Sequence, residues 1–228
     1  MSVDGVVLVH GANHCAACWD SVLAHLVAPA IAVDLPGRGS RSTTIEGVTL
    51  DDCVQVVIEA ADRAGLDRFV LVGHSVGGMT VTETAWRHPE RVARLIYVVG
   101  SVPAPGDSAA IAITGADMPP RPRMPTEERA RMLFGNDMPD GQWPEYWKGL
   151  VPESANLWNS RLTGYPSGVP ITYVSMTDDV GVPPALAEQM IANLGAEVDH
   201  RVLTAGHIVM ETKPRELAAI VNDVVGRV

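Results

Sequence analysis

Short runs of apolar residues alternate along the chain with longer stretches in which apolar positions recur at helical spacing. The short runs are nearly continuous in aliphatic residues, which is typical of strands that are covered on both faces of a parallel sheet. They predict strands at Val6–His10, Ala30–Asp34, Phe69–Gly73, Leu95–Gly100, Ile171–Ser175 and His200–Leu203. The longer stretches predict helices near Cys18–Leu26, Leu50–Ala64, Gly77–Arg87, Pro184–Leu194 and Pro214–Val225. This alternation predicts an α/β protein with a mostly parallel, doubly wound sheet.

The segment Ser101–Val169 breaks this alternation. It is rich in proline, has no clear strand period and is too long for a plain loop. Its aromatic side chains argue against a disordered insertion; they are Trp143, Tyr146, Trp147 and Trp158. We therefore predict a core formed by residues 1–100 and 170–228, and a small, partly helical cap insertion at 101–169 over the C-terminal edge of the sheet.

The composition is that of one folded globular domain, with 228 residues of which 46% are hydrophobic and 19% charged. The net charge is −10, and no cluster of basic residues is present to neutralise a phosphate backbone, so we expect no nucleic-acid partner. The chain opens without a basic region followed by an apolar one, and it has no apolar run of about 18 residues. We expect a cytoplasmic protein without membrane contact.

The three cysteines, Cys15, Cys18 and Cys53, are too few for a disulfide framework. Cys15 and Cys18 have the C-x-x-C spacing of redox motifs and of half a zinc site, but no second pair completes a metal site. We interpret them as small residues that line a loop, and we expect neither a metal nor a cofactor.

The strongest functional signal is a G-x-S-x-G motif at Gly73–Gly77, which follows a predicted strand and opens a predicted helix. A sharp strand-to-helix turn forces the serine into a strained backbone conformation, so small residues must flank it. The turn points the hydroxyl out of the sheet at the positive end of the following helix, where a developing oxyanion is stabilised. The motif predicts that Ser75 is a nucleophile.

Loops at the ends of other predicted strands supply the remaining groups of a hydrolytic site. His10-Gly11-Ala12 ends the first strand, where the amide of Ala12 can join that of Val76 in an oxyanion hole. His207 follows the last strand in a glycine-containing loop and is the candidate general base. Asp178 and Asp179 follow the penultimate strand, and either carboxylate could hold the imidazole in the required tautomer.

The order serine, aspartate, histidine along the chain is that of the α/β hydrolases, not of chymotrypsin or subtilisin. Two further histidines lie near these loops. We expect His14 to border the substrate pocket, and we expect the side chain of His74 to point away from the site.

The chain resembles the α/β-hydrolase superfamily over nearly its whole length, and within it the branch of plant-type methylesterases and hydroxynitrile lyases. The resembling segments are Val7–Ala12, Leu71–Met79, Thr177–Asp179 and Gly206–Met210. In that branch the acid stands four residues before a proline, which selects Asp179, since Pro183 follows it at that spacing. The resemblance implies a sheet of the α/β-hydrolase type and a serine hydrolase that works through an acyl-enzyme.

Two departures from the lyases favour hydrolysis. Hydroxynitrile lyases carry a lysine directly after the catalytic histidine and a threonine directly after the histidine of the first strand. Here these positions hold Ile208, which cannot stabilise cyanide, and Gly11, which we expect to leave space where the threonine would stand. Ser75 also disfavours the dehalogenases and epoxide hydrolases of the superfamily, which use an aspartate at that position.

We therefore expect hydrolysis of a small-molecule substrate, a small and largely apolar carboxylic ester. Three cap residues, Trp143, Trp147 and Trp158, are candidates for lining the pocket, although they could equally attach the cap to the sheet. The same triad would serve a lactonase, a thioesterase or a C–C bond hydrolase. The non-enzymatic alternative is a ligand-binding protein that keeps the fold.

Overall fold

The computed structural model of the chain describes residues 3–41, 44–195 and 197–228. A six-stranded sheet lies at its centre in the order β2-β1-β3-β4-β5-β6, and every neighbouring pair of strands is parallel. The strands are β1 Gly5–Val9, β2 Ala30–Val33, β3 Phe69–His74, β4 Val92–Val98, β5 Ile171–Met176 and β6 Val198–Leu203. The predicted fold class is confirmed.

Strand β4 begins at Val92, earlier than the predicted Leu95. Arg94 interrupts the apolar run, but its backbone pairs with Val70 in the sheet and its guanidinium donates a hydrogen bond to Thr172 Oγ1 at 3.1 Å. A polar residue therefore extends the strand, because its side chain has a partner on the adjacent strand.

Helices flank the sheet and connect its strands. They are α1 Asp20–Leu23, α2 Leu50–Arg63, α3 Gly77–Arg87, α4 Ala109–Thr114, α5 Glu127–Phe134, α6 Trp143–Lys148, α7 Ala155–Asn159, α8 Pro184–Leu194, α9 Val209–Thr212 and α10 Pro214–Val225. Helix α2 begins with a capping box, in which the Thr49 hydroxyl accepts from the Asp52 amide at 3.2 Å and the Asp52 carboxylate accepts from the Thr49 amide at 2.9 Å. No helix of the described ranges is both long and apolar enough to cross a membrane.

The first predicted helix is the one that differs most from the structure. In place of Cys18–Leu26 the chain forms a 3₁₀ turn at Ala16–Trp19 and then the four-residue α1. The Trp19 side chain is fully buried in the core. The helical apolar spacing in this stretch therefore reflects a compact connection between β1 and β2, not a long helix.

The chain between β4 and β5 contains the four short helices α4–α7 and packs on the loops that follow the sheet strands. The Val151 amide donates to the carbonyl oxygen of Asn13, which follows β1, at 3.0 Å. The Gly206 amide, which follows β6, donates to Asp137 Oδ2 at 2.7 Å. This segment is thus partly helical, while the boundaries of the cap at 101 and 169 stay a prediction.

A buried ion pair joins this segment to the loop after β2. Arg38 Nη2 pairs with Glu153 Oε1, and both side chains are almost completely buried. Glu153 also accepts hydrogen bonds from the amides of Ser154 at 2.6 Å and of Asn13 at 3.3 Å. The carboxylate therefore ties the cap to the loops after β1 and β2.

Removing the Glu153 carboxylate should destabilise the fold strongly, because it leaves the Arg38 guanidinium buried without its counter-ion. We expect Glu153→Ala to lower the free energy of unfolding by about 3–5 kcal/mol, the usual cost of breaking a buried pair from one side. The matched control is Glu59→Ala, which removes surface pairs with Arg41 and Arg63 and should cost less than about 1 kcal/mol. Urea unfolding at neutral pH measures both, and equal losses would contradict the assigned role.

Candidate active site

The motif at Gly73–Gly77 forms a sharp turn between β3 and α3. Ser75 has a φ of 50°, in the left-handed region that residues with side chains rarely adopt. A Cβ on Gly73 would lie 2.6 Å from Val81 Cγ2, and one on Gly77 would lie 2.5 Å from the carbonyl oxygen of His10. Glycine is therefore required on both sides of the serine, for the steric reason that the sequence indicated.

Ser75, His207 and Asp179 form one continuous chain of hydrogen bonds. Nδ1 of His207 lies 2.8 Å from Asp179 Oδ2, and Nε2 lies 3.0 Å from Ser75 Oγ. Because a carboxylate can only accept, Nδ1 carries the proton, and Nε2 is left to accept from the serine hydroxyl. The three residues are 3–6% exposed, so little water competes for these bonds.

The structure brings Asp179, and not its neighbour Asp178, to the histidine. Asp179 Oδ1 accepts from the amides of Gly181 at 2.7 Å and Val182 at 2.8 Å, which leaves Oδ2 for the imidazole. Asp178 is exposed, and its Oδ1 accepts from the Thr177 hydroxyl at 2.9 Å. Backbone amides therefore hold the orientation of the Asp179 carboxylate.

The loop after β1 lies directly against the serine. A Cβ added to Gly11 would be 2.9 Å from Ser75 Cβ and 2.6 Å from His74 Nδ1. The expectation that Gly11 leaves space where a lyase has its threonine is therefore wrong, because Gly11 instead permits the close approach of two loops. Among the described residues, neither the Ala12 amide nor the Val76 amide has an internal acceptor, so both candidate oxyanion donors are available.

Three other buried histidines surround this loop. His10 donates from Nδ1 to the Gly11 carbonyl at 2.8 Å and accepts at Nε2 from the Leu35 amide at 3.2 Å. His14 donates from Nδ1 to the Ala12 carbonyl at 2.6 Å, and its Nε2 accepts from the Tyr146 hydroxyl. The imidazoles of His10 and His14 thus each use one nitrogen as donor and one as acceptor, which requires the neutral form.

The orientation expected for His74 was wrong. Its ring lies 4.8 Å from the ring of His207, and its Nε2 donates to the His207 carbonyl oxygen at 2.9 Å. The His74 side chain packs against the candidate base and hydrogen-bonds its loop. This orientation arises because His74 is the last residue of β3 and faces the loop after β6.

Burial lowers the pKa of all three histidines. It lowers the pKa of His10 to about 3, with help from the charge of Arg38, and the pKa of His14 to about 4. Burial and the neighbouring His207 hold the pKa of His74 well below its usual value. The site is therefore surrounded by neutral imidazoles.

The cap contributes two aromatic rings that the sequence did not single out for the pocket. The Phe134 ring lies 5.8 Å from the His207 ring and 5.4 Å from the His14 ring, and the Tyr146 ring lies 5.8 Å from the His14 ring. Two sequence features could have pointed to these residues: Phe134 is one of only two phenylalanines in the chain, and Tyr146 lies inside the tryptophan-rich stretch.

The three tryptophans proposed for the pocket have other contacts. Trp143 donates from Nε1 to Glu127 at 3.1 Å, lies under the Arg131 guanidinium and stacks on Trp147. Trp158 is half-buried and packs on the apolar core. Within the described part of the chain, no tryptophan ring contacts the ring of His14 or His207. These contacts favour the alternative that the tryptophans attach the cap.

A cavity of about 200 Å³ opens beside His14. Its walls combine small and apolar residues with two acidic ones; they are His14, Cys15, Ala17, Cys18, Glu145, Tyr146, Gly149, Leu150 and Glu211. In the described ranges no group of three or more His, Cys, Asp or Glu side chains could hold a metal ion. Walls that combine apolar and polar groups suit a small organic ligand; Ser75, Asp179 and His207 are not among the residues that line this cavity.

The parallel sheet, the strained serine turn and the hydrogen-bonded serine, histidine and aspartate define the class of the α/β hydrolases. The model of the alpha/beta hydrolase family matches residues 6–220, so the chain belongs to that family. The predicted resemblance to the plant-type methylesterases is confirmed, and the esterase names of the similar proteins support carboxylic ester hydrolysis.

Several known proteins are similar to the chain over most of their length. A pyrethroid hydrolase of Sphingobium wenxiniae is 26% identical over 98% of this chain and 88% of its own. Methylesterase 7 of Arabidopsis thaliana is 28% identical over 96% of this chain and 95% of its own. The crystal structure of a second Arabidopsis methylesterase superposes with a TM-score of 0.83 at 23% identity, covering 98% of this chain and 99% of the other, and supports the fold.

The buried neutral histidines make stability depend on pH in a defined window. Below a pH of about 6.5 the histidines of the unfolded chain bind protons, whereas the buried histidines of the native protein stay neutral. The free energy of unfolding therefore decreases as the pH falls toward about 4. We expect each of these histidines to cost on the order of 1–2 kcal/mol at pH 5. Urea unfolding between pH 7 and pH 4.5 measures this decrease.

The variant His14→Gln keeps a hydrogen-bonding side chain but cannot take up a proton in this range, so we expect a visibly shallower decrease. His88→Gln, at a partly exposed position directly after α3, is the control and should follow the wild type. Identical decreases in the two variants would contradict the assignment of His14 as a buried neutral group.

Proposed function

We propose that the protein hydrolyses small, largely apolar carboxylic esters through an acyl-enzyme on Ser75. His207 serves as the base, Asp179 orients it, and the amides of Ala12 and Val76 stabilise the oxyanion. The observation that carries this proposal is the unbroken hydrogen-bond chain from Asp179 through His207 to Ser75. It supplies an activated nucleophile next to two free amides.

In the first step, Ser75 Oγ attacks the ester carbonyl while its proton moves to His207 Nε2. The tetrahedral oxyanion accepts hydrogen bonds from the Ala12 and Val76 amides, and Asp179 stabilises the imidazolium. The intermediate collapses when His207 returns the proton to the departing alkoxide, which leaves as the alcohol. Water then attacks the acyl-serine by the same route and releases the carboxylic acid.

The cavity beside His14 supports a small and neutral substrate. Its volume of about 200 Å³ is below the range of drug-sized ligand pockets, and Tyr146 and Leu150 contribute apolar surface. Glu145 and Glu211 would repel an anionic arm, as would the net charge of −10. The similar proteins named as pyrethroid hydrolase and methylesterase also support an ester substrate.

Hydrolysis is better supported than cyanohydrin cleavage. Ile208, which follows the candidate base, is fully buried and apolar, so it offers no cation to stabilise a leaving cyanide. The close approach at Gly11 leaves no room for the hydroxyl-bearing side chain that a lyase carries there.

Replacing each of the two adjacent aspartates by asparagine tests which of them orients His207. We expect Asp179→Asn to lower kcat about 10³–10⁴-fold, because an amide favours the wrong histidine tautomer. The matched control Asp178→Asn changes an exposed residue and should keep kcat within about threefold. Ser75→Ala should lose about 10⁴–10⁶-fold, since the triad acts as a unit.

Turnover of a short-chain p-nitrophenyl ester, with circular dichroism to verify folding, provides the comparison. A larger loss in Asp178→Asn than in Asp179→Asn would reassign the acid. Retention of more than a tenth of wild-type activity in folded Ser75→Ala would reject the nucleophile.

A further inference from the structure

Two consecutive cap residues contact both of the loops that carry the proposed acid and base. Asn136 and Asp137 follow Gly135, the residue that caps the end of α5. Asn136 Nδ2 donates to the Asp178 carbonyl oxygen at 2.7 Å, one residue before the proposed acid. Asp137 Oδ2 accepts from the Gly206 amide at 2.7 Å, one residue before the proposed base.

The same carboxylate also reaches the element that follows the base. Asp137 Oδ2 accepts from the Thr212 hydroxyl in α9 at 2.9 Å. Asp137 therefore binds the chain both before His207, at Gly206, and after it, at Thr212. The two catalytic loops are themselves joined, because the Asp178 amide donates to the Ala205 carbonyl oxygen at 3.1 Å.

Asn136 and Asp137 pack so closely against Gly206, the residue before the proposed base, that no side chain would fit there. A Cβ on Gly206 would lie 2.5 Å from Asn136 Oδ1 and 2.5 Å from Asp137 Oδ1. Phe134, two residues before Asn136, places its ring 5.8 Å from the His207 ring at an angle of 23°. One short stretch of the cap thus packs on the imidazole of His207 and also hydrogen-bonds the backbone of the loop that carries this residue.

We propose that Asn136 and Asp137 are positioning residues for the reaction, which hold the Asp179 and His207 loops at the distance that the proton relay needs. This inference rests on the proposed function of those two residues. Their hydrogen bonds go to these loops and to Thr212, so each side chain acts through the backbone of the adjacent loop. Because misplacement of a catalytic group by about 1 Å can cost on the order of 10²-fold in rate, the cap contributes to kcat and not only to substrate choice.

The test combines steady-state kinetics on p-nitrophenyl acetate with the far-downfield proton resonance of the His207 Nδ1–H bond to Asp179. We expect Asp137→Ala to lower kcat about 10–100-fold with KM changed less than about twofold, and to weaken or remove the downfield resonance. Asp137→Asn keeps an oxygen for the Gly206 amide and the Thr212 hydroxyl, so it should restore most of the rate and the resonance. Asp140→Ala, at a fully exposed acid of the same loop, is the matched control and should resemble the wild type.

Asn136→Ala removes a single bond from an exposed side chain and should lower kcat about 3–10-fold, so it decides the question if Asp137→Ala does not fold. The proposal is overturned if the folded alanine variants keep kcat within about twofold of the wild type and an unchanged resonance. If the wild type turns over no ester, the proposed function fails, but the resonance still reports the geometry between His207 and Asp179. The positioning role is then judged on that signal alone.

Discussion

The left-handed backbone of Ser75 is the constraint around which the rest of the site is arranged. A residue with a side chain pays on the order of 1–3 kcal/mol for such a conformation, and the surrounding contacts must enforce it. The Ser75 amide donates to the Val98 carbonyl at 3.1 Å, and the Ser75 carbonyl accepts from the Ser101 amide at 2.7 Å. With the end of β4 and the segment that follows it holding the turn, the hydroxyl projects beyond the sheet edge, where the loops after β1, β5 and β6 converge.

The second feature of the site is a dry, charge-poor environment in which the hydrogen bonds are oriented before a substrate arrives. The imidazoles of His10, His14 and His74 are neutral, and the buried carboxylate of Asp179 accepts hydrogen bonds from two amides and from His207. In such surroundings an oriented donor or dipole has a large effect on developing charge. Phe134, from the segment between β4 and β5, packs on the imidazole of His207, and the Arg38–Glu153 pair joins this segment to the loop after β2.

Much of this arrangement could be predicted from the sequence, because local rules and tertiary structure agree there. The strands follow from continuous apolar runs, and the turn at Ser75 follows from the steric need for glycine. Prediction was weakest where contacts between residues far apart in the sequence determine the orientation of a side chain. The side chain of His74 points toward His207 because the loop after β6 returns over it, and no local pattern encodes that contact. Phe134 and Asp137 likewise meet the base only because the cap folds back across the sheet edge, whereas the tryptophans that stood out by composition pack within the cap or on the core.

The central claim is that a covalent intermediate forms on Ser75. Mass spectrometry of the protein after reaction with a fluorophosphonate, which mimics the tetrahedral intermediate and stays attached, tests it most directly. The account predicts one phosphonyl group per chain, located on the peptide that contains Ser75, with ester hydrolysis lost in proportion to labelling and no label in Ser75→Ala. Labelling of a different residue, or ester hydrolysis that persists when Ser75 is fully modified, would contradict it.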